Sequence, residues 1–209
     1  MIAAIGAALA LLATSVSAIS TITAKGSKLF TDDGNQFFIK GVAYQLVEDD
    51  PLAQTEQCQL DAALMKSLGA NSIRVYHVDP TADHDGCMSA FSDAGIYAWI
   101  DLDTFSTYII ATQPEWTQTQ FGAYQKVMDA FHNYDNVAGF FVGNEVLNTA
   151  ANSVAAPYVK AAARDMKAYR SAQGYRDSLL VGYSAADIAD LRPNLQSKSS
   201  AIFMRVCTH

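Results

Sequence analysis

Short apolar runs alternate along the chain with longer segments in which apolar residues recur at helical spacing. Five of the runs are rich in aliphatic and aromatic residues and are bounded by polar or turn-forming residues, which predicts buried β-strands. They cover residues 37–44, 71–76, 97–102, 137–142 and 179–183. The segments between them predict helices, and strands that alternate with helices in this way are typical of a parallel α/β sheet.

Each predicted helix has either an apolar face or a terminal signal. Leu60, Leu64 and Leu68 recur at helical spacing in the first, and a short helix over residues 88–94 follows. Thr117 is a candidate N-cap for the third helix, and a proline suits the first turn of the fourth. The apolar residues of the last two helices are Phe121, Tyr124, Val127, Met128 and Phe131, and then Val159, Ala163, Met166 and Tyr169.

Two architectures fit such a sheet, an open doubly wound sheet and a (β/α)₈ barrel. The first strand is not followed by a glycine-rich phosphate loop, which removes the main reason to choose a dinucleotide-binding fold. Barrel enzymes place their sites at the C-terminal ends of the strands. We therefore predict a (β/α)₈ barrel of which about five βα units are present, in a domain over residues 19–196. Polar and aromatic residues occupy those strand ends: Tyr44, Gln45, Tyr76, Asp101, Asp103, Asn144, Glu145 and Tyr183.

Glu145 is the strongest candidate for chemistry. It follows directly on the apolar run over residues 137–142 and the pair Gly143-Asn144. A core strand has no use for a carboxylate, because burying an unpaired charge is costly. At the mouth of a barrel Glu145 could act as a general acid/base, with the Asn144 amide orienting a substrate hydroxyl. The alternative is a glutamate that caps the next helix or forms an ion pair there.

Four more residues extend this candidate site. An unpaired charge would be expensive inside a barrel, so we expect Arg74 to pair with a carboxylate. Tyr76 could stack on a sugar ring or hydrogen-bond a carboxylate, and ordinary core packing is the alternative. Asp101 and Asp103 alternate with apolar residues and so face the same way. One of the two should line the cleft, unless both belong to a helix-entry turn.

Charge and aromatic content narrow the class of ligand. The 209-residue chain has a net charge of -7 and no basic stripe, which argues against a nucleic-acid partner. This charge fits an extracellular enzyme that acts on a neutral substrate. Tyr44, Tyr108 and Trp116 would suit a carbohydrate, whose flat apolar faces stack on rings, although many barrels carry loop aromatics without binding sugar.

The N-terminus and the cysteines indicate an oxidising compartment. Residues 1–18 are aliphatic and small and end in Val-Ser-Ala, which predicts a secretory signal peptide. The alternative, a membrane anchor, is disfavoured by the short and interrupted apolar run. In that compartment, three cysteines imply one disulfide pair. Cys58 and Cys87 are the favoured pair because they flank the same βα segment. The alternative is free thiols in a reduced chain. Scattered histidines predict no zinc site, and we expect no cofactor.

Four segments together resemble the fungal β-1,3-glucanosyltransferases of glycoside hydrolase family 72. The resemblance extends over residues 25–196 and implies a secreted (β/α)₈-barrel enzyme held at the membrane or cell wall by a C-terminal GPI lipid anchor. The Asn-Glu step alone is shared by a wider clan of retaining barrel glycosidases. The segments are Lys-Gly-Val-Ala-Tyr-Gln at 40–45, Asn-Ser-Ile-Arg-Val-Tyr at 71–76, Gly-Asn-Glu-Val at 143–146 and Ala-Asp-Leu-Arg-Pro-Asn-Leu-Gln at 189–196.

The resemblance also implies a reaction and a set of site residues. The enzyme would cleave an internal β-1,3-glucan bond and transfer the new reducing end to another glucan chain during cell-wall remodelling, with donor and acceptor chains as its partners. Glu145 would be the acid/base, and Asn144 the amide that contacts the sugar 2-hydroxyl. Gln45, Tyr76 and Asp101 would be donor-site contacts, and Cys58 and Cys87 would form a disulfide.

The second carboxylate of such a site is expected elsewhere. A retaining mechanism needs two carboxyl groups about 5 Å apart, and the resemblance places the nucleophilic glutamate on a later strand. Glu48, Glu56 and Glu115 lack a comparable strand-end context. Residues 197–209 depart from the family pattern, so we expect a truncated catalytic domain that is inactive as a fragment. The alternatives are a retaining β-glucan hydrolase and a non-catalytic glucan-binding protein of the cell wall.

Overall fold

The structure is a computed structural model and describes residues 19–192. The predicted signal peptide over residues 1–18 and the predicted tail over residues 197–209 lie outside the described residues. A small antiparallel sheet comes first, with its strands in the order β1 (Ile22–Lys25), β2 (Lys28–Thr31) and β3 (Gln36–Phe37). Gly26, at φ 63°, makes the tight turn between β1 and β2 because glycine adopts positive φ without steric cost.

A five-stranded parallel sheet and four helices follow. The strands are β4 (Gly41–Ala43), β5 (Ser72–Val75), β6 (Tyr97–Asp101), β7 (Val137–Asn144) and β8 (Leu180–Ser184). The helices that connect them are α1 (Thr55–Ser67), α2 (Asp85–Asp93), α3 (Gln118–Phe131) and α4 (Ala156–Ala172). Short 3₁₀ helices cover Pro51–Ala53, Ala151–Ala155 and Ala189–Leu191.

Strand order decides between the two predicted architectures. The sheet runs β4-β5-β6-β7-β8, and every neighbouring pair is parallel. A doubly wound sheet reverses its strand order at a switch point, whereas the strands of a (β/α)₈ barrel follow chain order. The described sheet therefore has the topology of an arc of a barrel, with the five predicted strands in place.

The first predicted strand is wrong in its extent. Residues 37–44 form no single strand, because the chain leaves the antiparallel sheet after Phe37 and enters the parallel sheet at Gly41. The side chain of Asn71 holds this connection: its Nδ2 donates to Phe38 O at 2.9 Å, and its Oδ1 accepts from Lys40 N at 2.8 Å. The residues predicted as one strand thus belong to two sheets. Between the sheets, the Asn71 side chain forms the backbone hydrogen bonds that a neighbouring strand would otherwise form.

Helix α1 exists as predicted, but its leucines face outward. Leu60, Leu64 and Leu68 are 69%, 59% and 73% exposed. The buried residues of the helix are instead Cys58, Ala62 and Met65. Helical spacing therefore located the helix correctly, while small and sulfur-containing residues form the face that packs on the sheet.

Two apolar layers enclose the sheet. The larger cluster lies between the sheet and helices α1 to α4, and the smaller one packs Ile22 and Leu29 of the antiparallel sheet with Trp99 and Phe141. Strands β7 and β8 approach so closely that a Cβ on Gly139 would lie 2.6 Å from Leu180 O. Only glycine fits there, near the N-terminal end of β7.

Candidate active site

A cavity of about 330 Å³ opens where β5, β6 and β7 end. Three carboxyl groups line it, those of Asp101, Asp103 and Glu145, together with Tyr76 and Asn144. A larger cavity of about 590 Å³ lies between the antiparallel sheet and the inner side of the parallel sheet, but no carboxylate lines it. The smaller cavity is therefore the candidate active site within residues 19–192.

Glu145 lies in a backbone conformation that few residues other than glycine adopt. Its φ is 48°, in the left-handed region, and its backbone N donates to Ser184 O at 2.8 Å. Such a conformation costs on the order of 1 kcal/mol and persists when the surrounding structure enforces it. The pairing with β8 enforces it here, and the exposed carboxylate lines the cavity as a result.

Arg74 forms the predicted ion pair, and its partner is Asp101. The guanidinium Nη2 donates to both carboxylate oxygens of Asp101, at 3.0 and 2.9 Å. The same Nη2 donates to Asn144 Oδ1 at 3.1 Å, and Nη1 donates to Ser184 Oγ at 2.6 Å. Because its oxygen is bound to Arg74, the Asn144 amide is held with its two N–H groups available to a ligand.

Burial sets the proton affinity of the two aspartates. It raises the pKa of Asp101, while the paired Arg74 guanidinium opposes the shift and favours the carboxylate. It also raises the pKa of Asp103 to about 6. Within the described chain, Asp103 Oδ1 is buried without a hydrogen-bond partner. The expectation that one aspartate lines the cleft is confirmed, since both do.

Gln45 and Tyr76 adjoin this network in different ways. Gln45 Oε1 accepts from the backbone N of Tyr76 at 3.0 Å and of His77 at 3.1 Å, and its Nε2 donates to Val47 O at 2.9 Å. The Gln45 amide thus ties together the loops that follow β4 and β5. Tyr76 lines the cavity, and the Arg74 guanidinium carbon lies 4.5 Å from its ring centroid. Direct contacts of Gln45, Tyr76 and Asp101 with a donor sugar stay predictions.

The three aromatic residues predicted to suit a carbohydrate lie in different places. Tyr44 is buried against Phe91 and donates its hydroxyl to Asp61 at 2.8 Å, which makes it a core residue. Trp116 packs on Tyr124 at the side of α3 and does not line the cavity. Of the three predicted residues, Tyr108 alone lies at the cavity.

Sequence reasoning missed two aromatic residues at the cavity. Phe105 and His77 line it as a stacked pair with ring centroids 3.7 Å apart. His77 directly follows Tyr76 at the predicted strand end, which was an available signal. Phe105 lies in an irregular loop, and nothing in its sequence surroundings marks it. Tyr183, also at a predicted strand end, is buried, and its hydroxyl accepts from Leu147 N at 2.9 Å.

A disulfide joins Cys58 of α1 to Cys87 of α2. Over residues 19–192, no group of three or more histidines, cysteines and acidic residues is arranged to hold a metal ion. No helix in that same range is long and apolar enough to cross a membrane.

Comparison with known proteins identifies the family. The sequence model described as glucanosyltransferase, of glycoside hydrolase family 72, matches residues 11–200. The chain is 43% identical over 192 residues to the 1,3-β-glucanosyltransferase PGA5 of Candida albicans, covering 85% of this chain and 30% of that protein. It is 45% identical over 184 residues to the 1,3-β-glucanosyltransferase gas2 of Schizosaccharomyces pombe, covering 83% and 40%.

A solved structure supports the same relationship. Saccharomyces cerevisiae Gas2p in complex with laminaripentaose superimposes with a TM-score of 0.81 at 42% identity, covering 85% of this chain and 42% of that one. The chain spans less than half the length of each of these three relatives. Together with the strand order, the similarity confirms the predicted barrel-type fold. The chain belongs to the glucanosyltransferases of glycoside hydrolase family 72.

Proposed function

We propose that this chain is part of a β-1,3-glucan transglycosylase and that Glu145 is its acid/base. One observation carries the proposal: Glu145 is held in a left-handed conformation at a cavity beside an oriented amide. A strained residue at the mouth of a parallel sheet is typical of a functional site. The named relatives, which are 1,3-β-glucanosyltransferases, supply the reaction class.

In the proposed reaction Glu145 moves one proton in each of two steps. As the glycosidic bond breaks, the protonated carboxyl donates its proton to the leaving oxygen, and the sugar C1 bonds to a second carboxylate. Glu145 then accepts a proton from the acceptor hydroxyl, which attacks C1 and releases that carboxylate. Transfer exceeds hydrolysis when a sugar hydroxyl, rather than water, occupies the acceptor position.

The neighbouring residues would bind and orient the donor chain. The N–H groups of Asn144 would donate to the sugar 2-hydroxyl, and the contact with Arg74 supports this role because it fixes the amide. Tyr76 and Asp101 would contact the donor sugar from the cavity wall. Gln45 would act with them, and its bonds to the backbone of the loop after β5 support at least a role in positioning Tyr76.

A glucan-binding role without catalysis is the second candidate. Among the residues that the structure describes, Asp101 and Asp103 are the other carboxyl groups at the cavity, and both are buried. Asp101 is also paired with Arg74, and a carboxyl group that is buried or paired in this way is a poor nucleophile. The resemblance assigns the role of nucleophile to a glutamate on a later strand. Without that glutamate, the site would bind glucan but would not cleave it.

We also propose that the protein acts outside the cell, at the wall or the cell surface. The small, aliphatic residues 1–18 support secretion. The Cys58–Cys87 disulfide supports an oxidising compartment. Attachment by a GPI lipid is implied by the family resemblance.

The test is incubation of the expressed chain with reduced laminari-oligosaccharides, followed by product sizing. Longer products indicate transfer, shorter products alone indicate hydrolysis, and unchanged substrate with measurable binding indicates the second candidate. For a transferase, Glu145→Gln should lower the rate at least about 100-fold while binding persists, because it removes the acid/base. Glu115→Gln, at an exposed glutamate outside the cavity, is the matched control. Equal and measurable transfer rates in both variants would exclude Glu145 as the acid/base.

A further inference from the structure

Two large aromatic side chains are exposed on the loop that follows β6. Phe105 is 57% exposed and Tyr108 is 47% exposed, and both line the cavity that contains Glu145. We call this pair the aromatic wall. Exposed aromatic surface beside a polar site is the usual composition of a ligand-binding cleft.

Phe105 is supported from behind. One face of its ring stacks on His77, with centroids 3.7 Å apart and an interplanar angle of 30°. The backbone of His77 is fixed in turn, because its N donates to Gln45 Oε1 at 3.1 Å and its O accepts from Gln45 Nε2 at 3.3 Å. Burial lowers the pKa of His77, which favours the uncharged ring. One face of the Phe105 ring is therefore held in place by His77, and its other face is a flat apolar surface.

The loop that carries the wall is also anchored. Gln120 Nε2 donates to the backbone oxygens of Thr107 at 3.3 Å and Tyr108 at 3.4 Å. Gln120 belongs to the capping box that begins α3, so these bonds connect the loop to a helix terminus. Thr107 Oγ1 accepts from Thr104 N at 2.9 Å and closes the turn around Phe105. A surface held in this way loses little conformational freedom on binding.

We propose that the aromatic wall is a sugar-binding subsite for one further glucosyl unit of the chain whose bond lies at Glu145. The inference rests on the proposed function. β-Linked glucose carries its hydroxyls equatorially, so each ring face presents C–H groups that pack on an aromatic ring. The wall is continuous with the cavity at Glu145 and Asn144, so a glucan chain that occupies the cavity reaches Phe105 and Tyr108 along the same surface.

The experiment measures binding against chain length. Reduced laminari-oligosaccharides from two to six units are titrated calorimetrically into the Glu145→Gln chain, alone and with Phe105→Ala, Tyr108→Ala or both. The affinity of the parent should increase at one chain length, where the wall becomes occupied. Each alanine should reduce affinity by roughly 10-fold beyond that length and leave the shorter ligands unaffected. Phe105→Tyr keeps a flat ring and should restore the affinity.

Val154→Ala, at an exposed apolar residue outside the cavity, is the matched control and should bind every ligand like the parent. If no oligosaccharide binds the parent, the proposed function fails and this inference fails with it. If the parent binds but the alanine variants lose nothing at any length, the inference alone is overturned. A lowered melting temperature with unchanged affinity would also overturn it, because the wall would then pack against protein.

Discussion

At the scale of single residues, one guanidinium organises the polar side of the cavity. Arg74 contacts a carboxylate, an amide and a hydroxyl, those of Asp101, Asn144 and Ser184. A bidentate pair with Asp101 restricts both partners to one geometry, which suits an orienting role better than a lysine would. The amide that the proposed mechanism uses is therefore positioned from the interior of the sheet.

Asp103 should make folding stability depend on pH. Burial raises its pKa from 3.8 to about 6, so between these values the folded chain holds a proton that the unfolded chain releases. The contribution of Asp103 to the free energy of unfolding therefore falls as the pH rises through this window and is constant above it. Asp103→Asn removes this loss. Its stability relative to the parent should increase by on the order of 2 kcal/mol between about pH 4 and pH 7, measured by urea unfolding.

The control for this measurement is Asp49→Asn, at an exposed aspartate outside the cavity. Its difference from the parent should stay within a few tenths of a kcal/mol throughout, as for most surface substitutions. A constant difference between Asp103→Asn and the parent over the same pH range would show that Asp103 does not titrate in this window. The groups that face Asp103 electrostatically are Asp101, Arg74, Tyr124 and Tyr183.

Predictions for single residues succeeded where an alternative arrangement would have a high free-energy cost. The cost of a lone interior charge predicted that Arg74 has a carboxylate partner. It could not choose between Asp101 and Asp103, which lie two positions apart on the same side. Tyr44 failed as a cleft residue because its burial depends on a contact with Asp61 of α1, which no local pattern shows.

At the scale of elements, the pairing of β7 with β8 is the contact on which the site depends. It brings the Arg74 partners Asn144 and Ser184 side by side, and it holds the backbone of Glu145. The close approach of Gly139 to β8 is part of the same pairing. A change at this contact should affect the site as well as the sheet.

Gly139→Ala should destabilise the fold by about 1 to 3 kcal/mol, because the new methyl group would meet the Leu180 backbone oxygen at 2.6 Å. Gly122→Ala in α3 is the matched control, since nothing lies within 4 Å of its added Cβ. It should be neutral or stabilise by up to roughly 1 kcal/mol through helix propensity. Chemical unfolding of both variants measures the difference, and equal stabilities would contradict the close pairing.

The elements show why some of the fold was predictable. Buried parallel strands are mostly apolar and stand out in the sequence, and Thr117 was correctly predicted as an N-cap. The antiparallel sheet was missed because β1 to β3 have two to four residues, with lysines and threonines among them. Sequence spacing found α1 but not its orientation, since the outward position of Leu64 depends on what lies around the helix.

At the scale of the whole molecule, the Cys58–Cys87 disulfide links the first two helices across a sequence separation of 29. Closing a loop of this size restricts the unfolded chain and should stabilise the fold by about 3 kcal/mol. Cys58→Ala with Cys87→Ala should therefore lower the melting temperature, and a reductant should lower that of the parent in the same way. The reductant should leave the double variant unchanged. A parent that is insensitive to reduction would contradict this contribution.

The orientation of Glu145 has a consequence for heating. One amide hydrogen bond, from Glu145 N to Ser184 O at the end of β8, keeps the backbone in its left-handed turn. Strand ends open at lower free-energy cost than the sheet as a whole. The carboxyl group that we propose as the proton donor would then leave its position at the cavity, while the circular dichroism of the domain is still unchanged. The proposed transfer reaction should therefore stop some degrees below the melting temperature and resume on cooling, which assays over a temperature series would measure.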